Sequence, residues 1–286
     1  MDIAEKIEEI KVLTRKARTS GKSIGFVPTM GALHAGHVSL IEAACSRTDY
    51  VVVSIFVNPV QFSPGEDLEN YPRTLEDDRA KCQSAGADLI FVPSVKEMYP
   101  DKLQSWVEVE GQLTENLCGK SRPGHFRGVT TVCAKLFNIV MPDIAFFGRK
   151  DAQQAAVLKK MVKDLNMPLQ LQVCPIIREK SGLAMSSRNK YLSDKERQDA
   201  AVLYQSLVKC REMVDSGTRN ARLLVDTMRK MISNVDGAEI DYIQIVDPDT
   251  LEDVDTVEKQ AMAALAVKIG PARLIDNIML NVSAAG

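Results

Sequence analysis

Ile3, Ile7, Ile10 and Leu13 recur at the spacing of one helix face, so an amphipathic helix is expected to open the chain. The next apolar stretch, Ile24-Gly25-Phe26-Val27, is short and reads as a strand. Val51-Val52-Val53-Ser54-Ile55-Phe56-Val57 is apolar at nearly every position and rich in β-branching. Such a run fits a strand buried on both faces, as in a parallel sheet. Asn58-Pro59 ends it. A helical stretch near 75–85 leads to a further apolar strand, Leu89-Ile90-Phe91-Val92. The alternation continues with helix 129–140, strand 144–147, helix 152–165 and strand 169–173. Strands alternating with helices predict an α/β fold whose sheet carries helices on both sides.

After about Pro175 the pattern changes. Two helical stretches, 194–215 and 220–233, follow one another. Strand-like runs at 240–246, 263–267 and 274–280 come next, without long helices between them. These features predict a second, smaller α+β domain, with domains at 1–176 and 177–286. No internal repeat or low-complexity tract is present.

Composition narrows the function classes. A net charge of −2 gives no reason to expect a nucleic-acid or membrane-surface partner. No apolar run approaches the roughly 20 residues of a membrane span. Met1-Asp2-Ile3-Ala4-Glu5-Lys6 lacks the basic start and apolar stretch of a secretory signal. The six cysteines are scattered, with no C-x-x-C pair. Reduced thiols in a cytoplasmic protein are therefore expected, rather than a disulfide framework or zinc knuckle.

The candidate chemistry begins at Pro28-Thr29-Met30-Gly31-Ala32-Leu33-His34-Ala35-Gly36-His37, between the strand at 24–27 and a helix start read at Val38. Helix N-termini favour anions through unpaired N–H groups and the helix dipole. Glycine permits close backbone approach to a ligand, and histidine adds donors near neutral pH. Two of the chain's three histidines stand in this turn, which suits it to the phosphates of a nucleotide. A zinc pair is disfavoured: no glutamate lies between the histidines, and no third ligand follows at a usual spacing. Gly21-Lys22-Ser23 and Gly119-Lys120-Ser121 look like P-loop ends, but Lys16 and Thr114 occupy the places of that motif's first glycine.

Ligands bind at strand ends in open α/β sheets, and polar residues cluster just there. Asn58-Pro59-Val60-Gln61-Phe62 follows the second strand. Gly148-Arg149-Lys150-Asp151-Ala152-Gln153-Gln154 follows the strand at 144–147, and Met185-Ser186-Ser187-Arg188-Asn189 lies beyond the strand at 169–173. Arg122-Pro123-Gly124-His125-Phe126-Arg127-Gly128 supplies the third histidine. Taken singly, Lys150 reads as a solvated lysine and Ser186-Ser187-Arg188 as a polar loop. Arg73, Asp77 and Asp78 read as a solvated helix start.

Together, Pro28 to His37, Phe56-Val57-Asn58-Pro59-Val60-Gln61-Phe62, Tyr71-Pro72-Arg73-Thr74, the Arg122 to Gly128 run, the Phe146 to Gln154 run and Ala184-Met185-Ser186-Ser187-Arg188-Asn189 resemble the pantoate–β-alanine ligase family. Six motifs in order make the resemblance specific. The His34-Ala35-Gly36-His37 box is similar to the H-x-G-H signature of the wider nucleotidylyltransferase superfamily. The resemblance implies a Rossmann-like N-terminal domain with a parallel sheet, a small C-terminal lid domain and a homodimer. It implies the reaction of (R)-pantoate, β-alanine and ATP, with Mg²⁺, to pantothenate, AMP and diphosphate through a pantoyl adenylate.

The resemblance also implies roles for residues. His34 and His37 would contact the phosphates and stabilise charge at the α-phosphorus. Lys150, Ser186, Ser187 and Arg188 would hold the β,γ-phosphates. Gly148 and Asp151 would bind the ribose hydroxyls. Gln61 and Gln154 would hydrogen-bond pantoate, with Met30 near its gem-dimethyl end and beside ATP. Asn58 and His125 would stand behind the pocket or on the amine side. No protein metal ligand is implied, the Mg²⁺ being bound mainly through ATP phosphates. Arg149 departs from the acidic or amide residue usual in the family and is expected to face solvent. Two rivals share the fold. A nucleotidylyltransferase acting on a phosphorylated acceptor would want more cations beside Gln61 and Gln154. A non-enzymatic nucleotide sensor would be expected to have lost the histidines or the Ser-Ser-Arg loop.

Overall fold

The nearly all-apolar runs near 24–27 and 51–57 become strands whose successive residues feed two separate cores. The computed structural model describes residues 1–63 and 65–282; residues 283–286 of the expected second domain lie outside the described residues. The chain folds as two compact units. The first comprises Met1–Val109, Arg122–Arg149 and Val157–Pro175. The second comprises Glu110–Ser121, Lys150–Ala156 and the described residues from Ile176 on.

The first unit holds a six-stranded parallel sheet of β1 (Asp2–Ala4), β2 (Ile24–Thr29), β3 (Tyr50–Ile55), β4 (Leu89–Phe91), β5 (Ile144–Gly148) and β6 (Gln170–Cys174). Its strand order is β1-β4-β3-β2-β5-β6. Alternation across the pleat explains the burial. Phe26, Val52, Leu89 and Phe91 share a core with Val129, Val132, Phe137 and Val140 of the helix His125–Val140. Val27, Val51, Val53 and Ile90 pack instead with Leu40, Ile41 and Ala44 of the helix Ala35–Cys45.

Contrary to the helical spacing from Ile3, the chain does not open in a helix. β1 comes first, pairing Ile3 with Ile90, and the helix begins at Ile7. A three-residue edge strand is too short to display a period. Its conformation is set by pairing with β4.

In the second unit β7 (Glu239–Val246), β8 (Gln260–Ile269) and β9 (Ala272–Asn281) form an antiparallel sheet in that order. Leu203, Leu207, Cys210 and Val214 of the helix Ala201–Asp215, with Leu224, Met228 and Ile232 of the helix Ala221–Ile232, cover one face through Ala261, Ala263, Leu265 and Val267. Met262 and Ala264 point to the other face, where Leu117, Val246 and Leu251 meet them. The middle strand is thus buried on both sides.

Candidate active site

β2 and β5 are neighbours in the first sheet, with β3, β4 and β1 on one side and β6 on the other. The strand order reverses between them, which is where open α/β sheets bind ligands, beyond the carboxyl ends. β2 delivers the turn from Met30 to His34, and β5 ends at Gly148.

That turn passes through a left-handed residue, Ala32, with φ of +50°. Its backbone is held by the Asp78 carboxylate, which accepts the N–H of Ala32 at 2.9 Å and of Leu33 at 2.7 Å. The Thr74 hydroxyl donates to the same carboxylate at 3.3 Å. Asp78 is 1% exposed, so this part of the 73–78 stretch is no solvated helix start. The orphan N–H groups of the turn need an acceptor, and the carboxylate turns inward to supply one.

The helix Ala35–Cys45 begins three residues before the expected Val38, which places His34 at its N-cap and His37 in its first turn. The two side chains cap reciprocally. Nδ1 of His34 accepts the Gly36 N–H at 3.1 Å, and Nδ1 of His37 accepts the His34 N–H at 3.4 Å. The rings stack with centroids 4.1 Å apart. With Nδ1 accepting, Nε2 is the ring nitrogen left to donate. The turn therefore combines oriented imidazole donors with the N-terminus of an eleven-residue helix.

A second group of polar residues is assembled around the short 3₁₀ turn Pro59–Gln61. Tyr99 Oη donates to Oδ1 of Asn58 at 2.8 Å and so orients its amide. Asn58 Nδ2 then donates to Oε1 of Gln61 at 3.1 Å and to the Gly128 carbonyl at 3.2 Å. Asn58 is 1% exposed. Gln61 Nε2 points at Met30 Sδ, 3.1 Å away. The helix His125–Val140 meets this turn at Gly128. A Cβ there would stand 2.4 Å from the Val60 carbonyl oxygen and 2.6 Å from Gln61 Cα, so only glycine fits.

His125 is buried behind the same turn. Its Nδ1 donates to the Gln61 carbonyl at 2.8 Å, while Nε2 accepts from Arg122 Nη1 at 3.0 Å. Arg122 in turn makes a two-pronged pair with Glu66, at 2.6 and 2.7 Å. Burial works to raise the Glu66 carboxyl, but the Arg122 hydrogen bonds and charge outweigh it and hold it below the ordinary value.

The remaining candidates belong to the second unit, apart from Gly148 at the end of β5. Lys150 and Asp151 lie on the 3₁₀ turn Arg149–Asp151, with Lys150 half-buried and Asp151 and Arg149 exposed. Gln154 is half-buried on the helix Ala152–Asp164. The neighbouring Gln153 is buried and bonded to Cys118 N–H, the Leu113 carbonyl and the Asn116 carbonyl. Ser186 caps the 3₁₀ helix Ser187–Tyr191, its hydroxyl accepting the Arg188 N–H at 3.3 Å. Asn189 Nδ2 donates to Glu179 at 2.8 Å, and Arg197 grips the same carboxylate with two bonds of 2.8 Å.

The histidine-capped helix at the reversal of strand order and the linked Asn58 and Gln61 amides stand on the motifs that carry the resemblance. The family model of pantoate-beta-alanine ligase matches residues 2–279. The chain belongs to the pantoate–β-alanine ligase family. The pantothenate synthetase of Acetivibrio thermocellus is 52% identical over 282 residues, 99% of this chain and all of the relative. That of Thermosipho africanus is 53% identical over 280 residues, 98% of this chain and all of the relative. The crystal structure of pantothenate synthetase from Thermus thermophilus superposes with a TM-score of 0.93 at 44% identity, covering 97% of this chain and 99% of that one. Pantoate-beta-alanine ligase from Francisella tularensis, complexed with beta-gamma ATP and beta-alanine, gives a TM-score of 0.81 at 38% identity, covering 98% of this chain and 97% of that one.

Within this ligase the sequence-predicted residues divide between the units. Met30, His34, His37, Asn58, Gln61, His125 and Gly148 lie in the first; Lys150, Asp151, Gln154, Ser186, Ser187 and Arg188 lie in the second. The fold brings His34 onto His37 and links Met30, Gln61 and Asn58 by direct contact. Sequence reasoning misses the residues that aim them. Asp78, Tyr99 and Glu66 reach partners between 41 and 56 positions away, and nothing in their local pattern marks them. The weak signal for Asp78 is its place four residues after Thr74, the last residue of the Tyr71-Pro72-Arg73-Thr74 motif.

Proposed function

We propose that the protein condenses (R)-pantoate with β-alanine, using ATP and releasing AMP and diphosphate, through an enzyme-bound pantoyl adenylate. The support is family membership together with one geometric observation: the reciprocal His34/His37 cap at a helix N-terminus beyond the central strand β2. A carboxylate acylates poorly at neutral pH. In the first step a pantoate carboxylate oxygen bonds to the α-phosphorus, and the bond from that phosphorus to the β-bridging oxygen breaks to release diphosphate. In the second step the β-alanine nitrogen bonds to the acyl carbon, the carbon–oxygen bond to AMP breaks, and the amine loses a proton. Positioning and charge neutralisation are what the protein contributes.

In this reading the Nε2 sides of His34 and His37 donate hydrogen bonds that stabilise charge growing at the α-phosphoryl oxygens. Lys150, Ser186, Ser187 and Arg188 hold the β,γ-phosphates, and Gly148 and Asp151 the ribose. Gln61, oriented by Asn58, and Gln154 hold pantoate, with Met30 against its methyl groups and beside ATP. His125 sets the backbone of Gln61 from behind. Among the described residues no group of three or more His, Cys, Asp or Glu side chains is placed to hold a metal ion. Mg²⁺ enters this reading, as the resemblance implies, as the partner of the triphosphate, whose charge it offsets. A homodimer and a lid role for the second domain rest on the family resemblance, the division into domains at 1–176 and 177–286 on the change of pattern near Pro175, and a cytoplasmic location on the scattered cysteines. Among the described residues no helix is long and apolar enough to cross a membrane.

The deciding experiment is ATP–diphosphate exchange. Exchange is expected with pantoate alone, before any β-alanine is added. Exchange that strictly requires β-alanine would contradict an adenylate formed first.

A further inference from the structure

The last strand of the small sheet carries two adjacent polar residues that are each 3% exposed, Asp276 and Asn277. Neighbours on a strand point to opposite faces. Asp276 is paired with Leu265, which belongs to the core under the two helices. Asn277 is paired with Ala264, which belongs to the core on the other side. One dipeptide thus reaches both faces of the sheet.

On the first face Asp276 takes both prongs of Arg178, at 2.5 and 2.9 Å. Arg178 also donates to the Gly182 carbonyl at 3.0 Å and stacks on Tyr204, 3.8 Å from the ring centroid. It begins a tight hairpin: Arg178 bridges to Ala184, and Glu179 N–H bonds to the Leu183 carbonyl at 2.8 Å. Gly182, at φ of +92°, makes the reversal; a Cβ there would strike Tyr204 at 2.4 Å. The hairpin leads straight into Ser186-Ser187-Arg188. On the second face Asn277 Nδ2 donates to the backbone carbonyl of Lys150 at 3.0 Å.

Stability alone is a weak reason to place a charged pair here. A buried ion pair is often replaceable by apolar residues with no loss, because desolvation cancels much of the attraction. A packed strand has still placed a charge and an amide side by side, each tied to a different segment of the proposed phosphate-binding set. We propose that Asp276 and Asn277 are positioning residues that fix the spacing between the Lys150 turn and the Ser186-Ser187-Arg188 segment, and so set the geometry with which β,γ-phosphates are held. This rests on the phosphate-binding reading of those two segments given above. The role assigned to the pair is indirect. It acts through Arg178 and through the Lys150 backbone.

The test uses Asn277→Ala and Asp276→Asn in the full-length enzyme. Pantoate-dependent ATP–diphosphate exchange and conversion of preformed pantoyl adenylate with β-alanine are measured separately, with melting temperature as a check on folding. Each variant is expected to slow exchange by about tenfold or more while leaving the second half-reaction within about twofold, the scale of losing one oriented hydrogen bond. Asn277→Ala is further expected to have little effect in a Lys150→Ala background, since it works through that lysine. Should Asp276→Asn fail to fold, Arg178→Lys, which keeps the charge but not the fork, serves the same comparison. Equal slowing of both half-reactions, or full additivity with Lys150→Ala, would overturn the proposal. Lys150→Ala and Arg188→Ala test the underlying reading. If neither slows exchange, the phosphate assignment falls; if they do and the strand variants do not, the proposal alone falls.

Discussion

The histidine turn of the first unit and the Ser-Ser-Arg segment of the second are held in place by different kinds of contact. The turn is fixed through its own backbone. Asp78 receives two N–H groups, and the two histidines cap the helix with their ring nitrogens. The Ser186-Ser187-Arg188 segment is fixed through charged side chains on either side of it, Arg178 to Asp276 and Glu179 to Arg197 and Asn189. Backbone satisfaction leaves few alternatives, since every orphaned N–H costs free energy wherever the turn goes. Side-chain pairs can exchange for water more readily, especially where one partner is half exposed, as Arg197 is. In the proposed reading the turn is an anion site held by its own backbone, and the segment is held by the buried Arg178–Asp276 pair and the more exposed Glu179–Arg197 pair.

The largest effect that tests this contrast is expected at the turn. His34→Ala and His37→Ala should each lower turnover by about 10²-fold or more, the scale for losing one transition-state donor. Both variants should still fold, since the rings are half-buried and contribute little core, with melting temperature lowered only by the loss of one ring cap, about 1 kcal/mol. Near-normal steady-state turnover in both variants would remove them from the chemistry.

Arg188→Ala should slow adenylate formation by about tenfold to a hundredfold, the scale of a charge-assisted hydrogen bond. It should spare the reaction of preformed pantoyl adenylate with β-alanine, where diphosphate has already left. Rapid-quench measurement of each half-reaction separates the two, and equal slowing would assign Arg188 to general architecture instead.

Asp78→Ala should show in stability as well as rate. Two backbone N–H groups would lose their acceptor, at about 1–3 kcal/mol each if they stay buried. A lowered melting temperature with reduced turnover is expected, and Asp78→Asn should recover part of both. An unchanged melting curve would mean the turn holds itself.

The smallest effect concerns pH. The Glu66 carboxyl is held below its ordinary value by Arg122 once burial is outweighed. A depressed folded-state value means that its contribution is complete above the ordinary glutamate range and is lost as pH falls through the folded value. Melting temperature followed from neutral to acid pH should therefore fall less in Glu66→Gln than in the parent, and parallel curves would contradict the pairing.

The strands were legible because β-branched runs such as Val51-Val52-Val53 admit few other structures. The histidine turn was legible because its residues are both the chemistry and the local punctuation. β1 was not, since three residues show no period. Asp78 was not, because an acidic residue in a helix's first turn has the same local signature whether it faces solvent or a buried loop. The Arg178–Asp276 pair joins positions 98 residues apart, and no local pattern encodes which distant charge an arginine will meet. What stayed hidden is mostly the layer of residues that aims the visible ones.

If Gln61 binds the acid as proposed, the contact at Gly128 limits how that side of the site can be altered. The wall it forms behind Gln61 is main chain against main chain, with no side chain to trim and no room to add one. Saturation at position 128 should return a nearly empty set of functional variants. On the proposed pantoate-binding reading, a change in the acid taken would instead be sought at Met30, Gln61 and Gln154, the first two having side chains in contact.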